Sequence, residues 1–232
     1  MQHYPEGMLY VVATPIGNLA DISLRALHVL QLASVIACED TRHTQGLLRQ
    51  FGSEKTLLAV HEHNESEAAV GIIERLQRGE RVAYVSDAGT PAVSDPGARL
   101  VAAVRAAGLG VMPLPGASSV TTALSAAGIA GGSGFVFAGF LPSKAGERDQ
   151  AVVQLQSEAR AVVILEAPHR IEALAQAIET EGFEVVGVTS YGDLSQFAQQ
   201  QSRASAFILS IDDEEFTVGE GLDPIVLSLR NF

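Results

Sequence analysis

Arg81-Val82-Ala83-Tyr84-Val85 leads directly into Ser86-Asp87-Ala88-Gly89-Thr90-Pro91-Ala92-Val93-Ser94-Asp95-Pro96-Gly97, and a run from Ala98 to Ala107 follows. The first five residues read as a short strand, the next twelve, broken by glycine and proline, as a loop, and the last ten as a helix. Loops this long inside a compact domain are usually functional. Glycine lets a backbone come close to a ligand, and Ser, Asp and Thr bring donors and acceptors. The same residues equally suit a turn that caps the next helix at Asp95, with Pro96 at its first helical position.

That strand, loop and helix belong to a repeating pattern. Leu9 to Ala13 reads as a strand ended by Thr14-Pro15-Ile16-Gly17-Asn18. Asp21 is the expected N-cap of a helix whose inward residues are Leu24, Leu27, Leu30 and Leu32. Ser34 to Cys38 is a second strand, and Thr41 to Phe51 a helix that turns Leu47, Leu48 and Phe51 inward. Leu57 to Val60 is a third strand. Asn64 and Glu67 after it have the spacing of a capping box for a helix using Val70, Ile72, Ile73 and Leu76. Val111 to Leu114 is the strand after the opening helix. Alternation of this kind predicts a parallel sheet covered by helices, with ligands at the carboxyl ends of its strands. The polar, glycine-rich loops follow strands one, four and five.

Beyond Pro113-Leu114-Pro115-Gly116 the pattern changes. A helix of small residues spans Ser118 to Ala127, and the loop Gly128 to Gly134 follows. Phe135 to Phe140, Ala161 to Leu165, Glu184 to Thr189 and Ser205 to Ile211 read as strands. Helices from Gly146 to Gln156 and from His169 to Glu181 lie among them. The expected organisation is an N-terminal α/β domain, 1–115, and a C-terminal one, 116–232.

Composition narrows the function. At 232 residues with 47% hydrophobic and 18% charged residues the chain is a folded protein, and without tryptophan its core is aliphatic. Cys38 is the single cysteine, which excludes an internal disulfide and a cysteine-built zinc site. Neither a signal-type N-terminus nor an apolar run near the ~20 residues of a membrane span is present, so a cytoplasmic location is expected. The net charge of −12 speaks mildly against a nucleic-acid partner, but the acidity is uneven. From Ile171 to Phe232, 11 acidic residues face 2 basic ones, which leaves the first three-quarters nearly balanced. With no Walker A motif and no GxGxxG, a P-loop and a dinucleotide site are both unexpected.

Three charged clusters stand at strand ends. Glu39-Asp40-Thr41-Arg42-His43-Thr44 is a possible acid, base and hydroxyl group; it also reads as a helix start with Asp40 or Thr41 as N-cap. His61-Glu62-His63-Asn64-Glu65 offers two imidazoles, although alternating histidines at a strand end seldom bind metal without a third ligand. His169-Arg170, after Glu166-Ala167-Pro168, can hold a phosphate or begin a helix.

In order, the stretches Leu9 to Leu19, Glu39 to His43, His61 to Asn64, Val85 to Pro91 with Ser94 to Gly97, Pro113 to Gly116, Gly139-Phe140-Leu141-Pro142-Ser143-Lys144 and Glu166 to Arg170 resemble the ribosomal RNA small-subunit methyltransferase I family. That family has the tetrapyrrole-methylase (class III) fold, and the resemblance covers about Leu9 to Ile178. It implies two α/β domains, a parallel N-terminal sheet and a mixed C-terminal one, with S-adenosylmethionine in the cleft between them, in a homodimer. It implies 2′-O-methylation of a cytidine in small-subunit (16S) ribosomal RNA, free or in the assembled subunit. Pro15, Asp87, Gly89, Thr90, Ser118, Ser119, Leu165 and Pro168 would border the cofactor. Asp40, His43 and His61 are the proton acceptors by position, and Arg42, Lys144 and Arg170 the partners of RNA phosphates. No metal is expected. The C-terminus departs from the family: Tyr191 to Phe197 lacks the two basic residues of the corresponding family run. A small-molecule methylase of the same fold, or a non-catalytic relative with an altered tail, are the competing readings.

Overall fold

The computed structural model describes residues 3–127, 134–167, 170–182, 184–188, 205–210 and 226–229. The chain divides into two compact units, Met1–Ser118 and Ser119–Phe232.

In the first unit β1 (Met8–Val12), β2 (Val35–Cys38), β3 (Leu57–Ala59), β4 (Val82–Val85) and β5 (Gly110–Leu114) form a sheet in the order β3-β2-β4-β1-β5. Every neighbouring pair is parallel. The connections are α1 (Leu24–Leu32), α2 (Thr41–Gln50), α3 (Glu65–Gln77) and α4 (Ala98–Ala106). Because side chains alternate across a strand, the sheet feeds two cores. Tyr10, Val12, Ile36, Cys38, Ala83 and Val85 pack with Ala26, Val29 and Leu30 of α1 and Leu48 of α2. Leu9, Val35, Ala37, Val82 and Tyr84 pack with Ala69, Ile72 and Leu76 of α3 and Leu100 and Val104 of α4. Each Val, Leu or Ile among them, fully buried, stabilises the fold by roughly 1.5–3 kcal/mol.

The strand order fixes where a ligand belongs. The chain leaves β1 through α1, passes β4 and enters β2; it leaves β4 through α4, passes β1 and enters β5. These two connections run in opposite directions across the sheet, so α1 and α4 lie on opposite faces. The crevice beyond the carboxyl ends of β1 and β4 is the topological switch point.

Several local expectations are corrected. Asp21 does not cap α1. It ends a 3-10 turn, Leu19–Asp21, for which Asn18 accepts the Ala20 N–H. Ser23 is the cap, its hydroxyl accepting the Ala26 N–H at 3.0 Å. With that start the inward face is Ala26, Val29 and Leu30; Leu24 is 85% exposed and Leu32 also faces solvent. Of the four leucines expected to face inward, Leu30 is buried and Leu27 packs against the same core. In α3, Ala69 takes the inward place expected of Val70, which is 59% exposed. Asn64 makes no side-chain cap; it accepts the His61 N–H (2.8 Å) and donates to the Ala59 carbonyl (3.0 Å), bracing the turn after β3. The N-cap position of α4 is Gly97 rather than Asp95.

The second unit contains α5 (Ser119–Ala126), β6 (Phe135–Phe140), α6 (Ala145–Leu155), β7 (Ala161–Glu166), α7 (Ile171–Thr180), β8 (Glu184–Val188), β9 (Ser205–Ser210) and β10 (Val226–Leu229). β6, β7, β9 and β8 run parallel in that spatial order, while β10 pairs antiparallel with β8 and β7. The sheet is therefore mixed. Strand β10 is absent from the sequence-based expectation. Val152, Val162, Ile164, Leu174 and Ile178 fill the core of this unit. Among the described residues no helix is long and apolar enough to cross a membrane.

Candidate functional site

A parallel sheet sends all its strand-end loops to one edge, so Thr14, Asp40, His61, Asp87 and Gly116 share the carboxyl edge of the first sheet. Three of these loops are tied together. Beyond β1 and β4, the Thr14 N–H donates to the Gly89 carbonyl (2.9 Å) and the Gly89 N–H to the Thr14 carbonyl (3.1 Å). The Thr14 hydroxyl donates to the Ser86 carbonyl at 3.1 Å. Thr90 donates through its hydroxyl to the Ala117 carbonyl at 2.9 Å, joining the third loop. Gly116 permits this closeness, because a Cβ there would stand 2.7 Å from Cβ of Ala13. Pro15 is buried beside the bridge.

Asp87 links this cluster to the next strand end. Its Oδ1 accepts the Asp40 N–H at 3.2 Å, where α2 begins. Asp40 is the N-cap of α2: its Oδ1 accepts the Arg42 N–H (2.7 Å) and its Oδ2 pairs with the Arg42 guanidinium (3.1 Å). The hydrogen bonds from Arg42 hold the Asp40 carboxyl below the usual carboxylate range. Arg42 itself is 91% exposed, and His43 in the same turn faces solvent. His61 is half-buried, with a buried Nδ1 that has no hydrogen-bond partner among the described residues, and its ring meets that of His63 edge-on. No group of metal-ligating side chains occurs among the described residues. Burial pushes the Cys38 thiol up, which keeps it protonated.

The loop over residues 86–97 is anchored at its far end as well. The Tyr84 hydroxyl donates to the Pro96 carbonyl at 2.6 Å, and the Gly97 and Leu100 N–H groups donate to Oε1 of Glu65. Burial, followed by the charges of Glu39 and Glu65, pushes the Tyr84 hydroxyl far above its usual range and keeps it a donor. Thr14, Glu65 and Tyr84 are residues that sequence reasoning did not assign. Thr14 adjoins Pro15 in a recognised motif, whereas nothing local marks Glu65 or Tyr84 as partners of residues far along the chain.

The remaining expected residues lie at or beyond the unit boundary. Ser118 and Ser119 are partly buried, at the end of the first unit and the start of α5. Leu165 is buried in the core of the second unit. Glu166 is buried; it accepts the Ala167 N–H (2.8 Å) and forms an ion pair with Arg170. Lys144 is exposed and pairs with Glu147 at 3.0 Å. Pro168, His169 and the run from Tyr191 to Phe197 lie outside the described residues.

The fold and this strand-end site define a class. Residues 8–196 match the family of Tetrapyrrole (Corrin/Porphyrin) Methylases, and the chain belongs to that family. Within it the chain is similar to proteins named ribosomal RNA small subunit methyltransferase I. It is 51% identical to the one from Pseudomonas aeruginosa over 179 residues, which are 77% of this chain and 63% of that protein. It is 56% identical to the one from Neisseria meningitidis serogroup A over 167 residues, 72% of this chain and 57% of the relative. The matched part thus spans less than two-thirds of these relatives' length. Among solved structures, a uroporphyrin-III-C-methyltransferase from Thermus thermophilus aligns over 97% of this chain and 94% of its own, with TM-score 0.57 and 20% identity. A cobalt precorrin-4 methyltransferase aligns over 83% and 85%, with TM-score 0.59 and 18% identity. These two are similar in fold.

Proposed function

We propose that the chain, as a homodimer, binds S-adenosylmethionine at the loops after β1, β4 and β5 and methylates the 2′-oxygen of a cytidine ribose in small-subunit ribosomal RNA. The observation that carries this reading is the identity of about half of all aligned residues to relatives of that name. The site's chemistry agrees with the cofactor. Its loops present backbone amides, hydroxyls and the carboxylate of Asp87, and the N-terminus of α4 already holds Glu65. A cationic cofactor finds a carboxylate there.

When bound, the cofactor supplies an electrophilic methyl group on a cationic sulfur. The protein then has to hold an acceptor oxygen in line with it, and positioning accounts for much of the rate. Asp87, Gly89 and Thr90 form the wall after β4; Pro15, Ser118, Ser119, Leu165 and Pro168 complete the set assigned to the cofactor. His43 and His61 are better suited than Asp40 to take the ribose proton, because Asp40 is engaged by Arg42 and the start of α2 and its carboxyl is a weakened base. Arg42 and Lys144 are exposed and suited to RNA phosphates. Arg170 is paired with the buried Glu166.

Incubation with labelled S-adenosylmethionine and small ribosomal subunits lacking the modification tests the reading. Label in the ribosomal RNA is the expected result. Transfer only to a tetrapyrrole acceptor, or cofactor binding with no transfer, would overturn it.

A further inference from the structure

Glu65 is the first residue of α3, yet its carboxylate serves another helix. It is 4% exposed, and its Oε1 accepts the N–H groups of Gly97 (3.0 Å) and Leu100 (2.8 Å) at the start of α4. Tyr84 clamps the same junction: its hydroxyl holds the Pro96 carbonyl, and a Cβ on Gly97, whose φ is +122°, would lie 2.2 Å from Cε1 of the ring. Thr14 clamps the other end of the loop through Gly89. Between the clamps Ala92 has φ 62°, the one positive value at a non-glycine among the described residues. A strained residue persists only where its surroundings over-determine it.

A helix N-terminus at a switch point is ordinarily where a ligand's phosphate docks. Here a protein carboxylate occupies it. We propose that Glu65 is a positioning residue for the cofactor loop: an internal acceptor oxygen that fixes residues 86–97 in the shape a phosphate-free cofactor needs. The proposal rests on the cofactor reading above. It also couples the His61–Asn64 turn, which leads into α3, to the loop after β4, so two strand ends of the site move as one.

The test is calorimetric titration of S-adenosylmethionine into the full chain and its Glu65→Ala, Glu65→Gln and Leu76→Ala variants, at a temperature where each is folded. Hydrogen exchange over residues 86–97 is measured in parallel. Glu65→Ala is expected to weaken binding at least tenfold and to speed exchange in the loop. Glu65→Gln, which keeps an oxygen in the same place, should recover most of the affinity, and formate added to Glu65→Ala should recover part where chloride does not. Leu76, buried in the same helix, serves as the control. Leu76→Ala should lower the melting temperature and leave affinity unchanged. Wild-type affinity in Glu65→Ala, or an equal loss in Leu76→Ala, would overturn the proposal. Should Glu65→Ala fail to fold, Glu65→Asp decides, because its shorter side chain withdraws the oxygen from Gly97 and Leu100: at least tenfold weaker binding is expected, and wild-type affinity would overturn the proposal. If the wild-type chain does not bind the cofactor, the cofactor reading fails; faster loop exchange in the variants then keeps Glu65 as a loop-positioning residue, and unchanged exchange removes it.

Discussion

The helices α2 and α4 both begin at the carboxyl edge of the first sheet, and their orphan N–H groups are satisfied in opposite ways. At α2 the cap is local and wet: Asp40 accepts from Arg42 two residues on, and the pair stands in solvent. At α4 the cap is remote and dry: Gly97 has no side chain to offer, and Glu65, 32 residues earlier, reaches across from α3. A local exposed cap stabilises its own helix by about 1 kcal/mol and constrains little else. Removing a buried one strands donors at roughly 1–3 kcal/mol each. The second arrangement therefore ties the loop over residues 86–97 to the rest of the unit, and that loop is the one assigned to the cofactor.

Three substitutions break the contrast, and a fourth, outside both caps, sets its scale. Gly97→Ala has the largest expected effect, because it places a methyl group inside the Tyr84 ring and forces a left-handed conformation on alanine; a loss of about 3 kcal/mol in chemical unfolding is predicted. Under 1 kcal/mol would mean that the junction is looser than described. Tyr84→Phe, which strands the Pro96 carbonyl, should remove about 1.5 kcal/mol at neutral pH. It should also alter the alkaline limb. The folded pKa of Tyr84 is raised, so its stabilisation is full below the ordinary value of 10.0 and is lost as pH rises past it. Wild-type stability should consequently fall more steeply above that pH than that of Tyr84→Phe, and identical alkaline profiles would exclude Tyr84 as the titrating group. Asp40→Ala should lose about 1 kcal/mol. The folded pKa of Asp40 is depressed, so its contribution is present above the usual carboxylate range and fades as pH falls through and below it. An acid-unfolding curve unchanged by the substitution would contradict that cap. Leu24→Ser, on the solvent side of α1, should stay within about 0.5 kcal/mol; a larger loss would restore the leucine stripe as the inward face.

Legibility followed the range of each interaction. The alternation of strand and helix is local in sequence, so the parallel sheet, its carboxyl edge and the loop over residues 86–97 were all readable. The Asp40 cap was readable for the same reason, since donor and acceptor lie two residues apart. The α1 register was legible only in part: Leu24 and Leu32 satisfy helical spacing yet are exposed, while Ala26 and Val29 are buried beside Leu30. Glu65 next to Asn64 reads as an ordinary acidic residue in a first helical turn, and only the fold brings Gly97 to it. Arginine shows the same limit. Arg42 and Arg170 both follow strands and look alike in sequence, yet one stands in water and the other holds the buried Glu166. The strand β10 is short and lies in a stretch without a matching motif, so nothing local announced its pairing with β7 and β8.

We propose that the carboxyl edge between β1 and β4 receives the methyl donor, with Asp87 as its fixed anion. Calorimetric titration of S-adenosylmethionine into the wild-type chain and into Asp87→Ala tests it most directly. Saturable one-site binding to the wild type is expected, with at least a tenfold weaker affinity in the variant, about 1.4 kcal/mol or more. Equal affinity in the two proteins would contradict it and move the cofactor away from this edge.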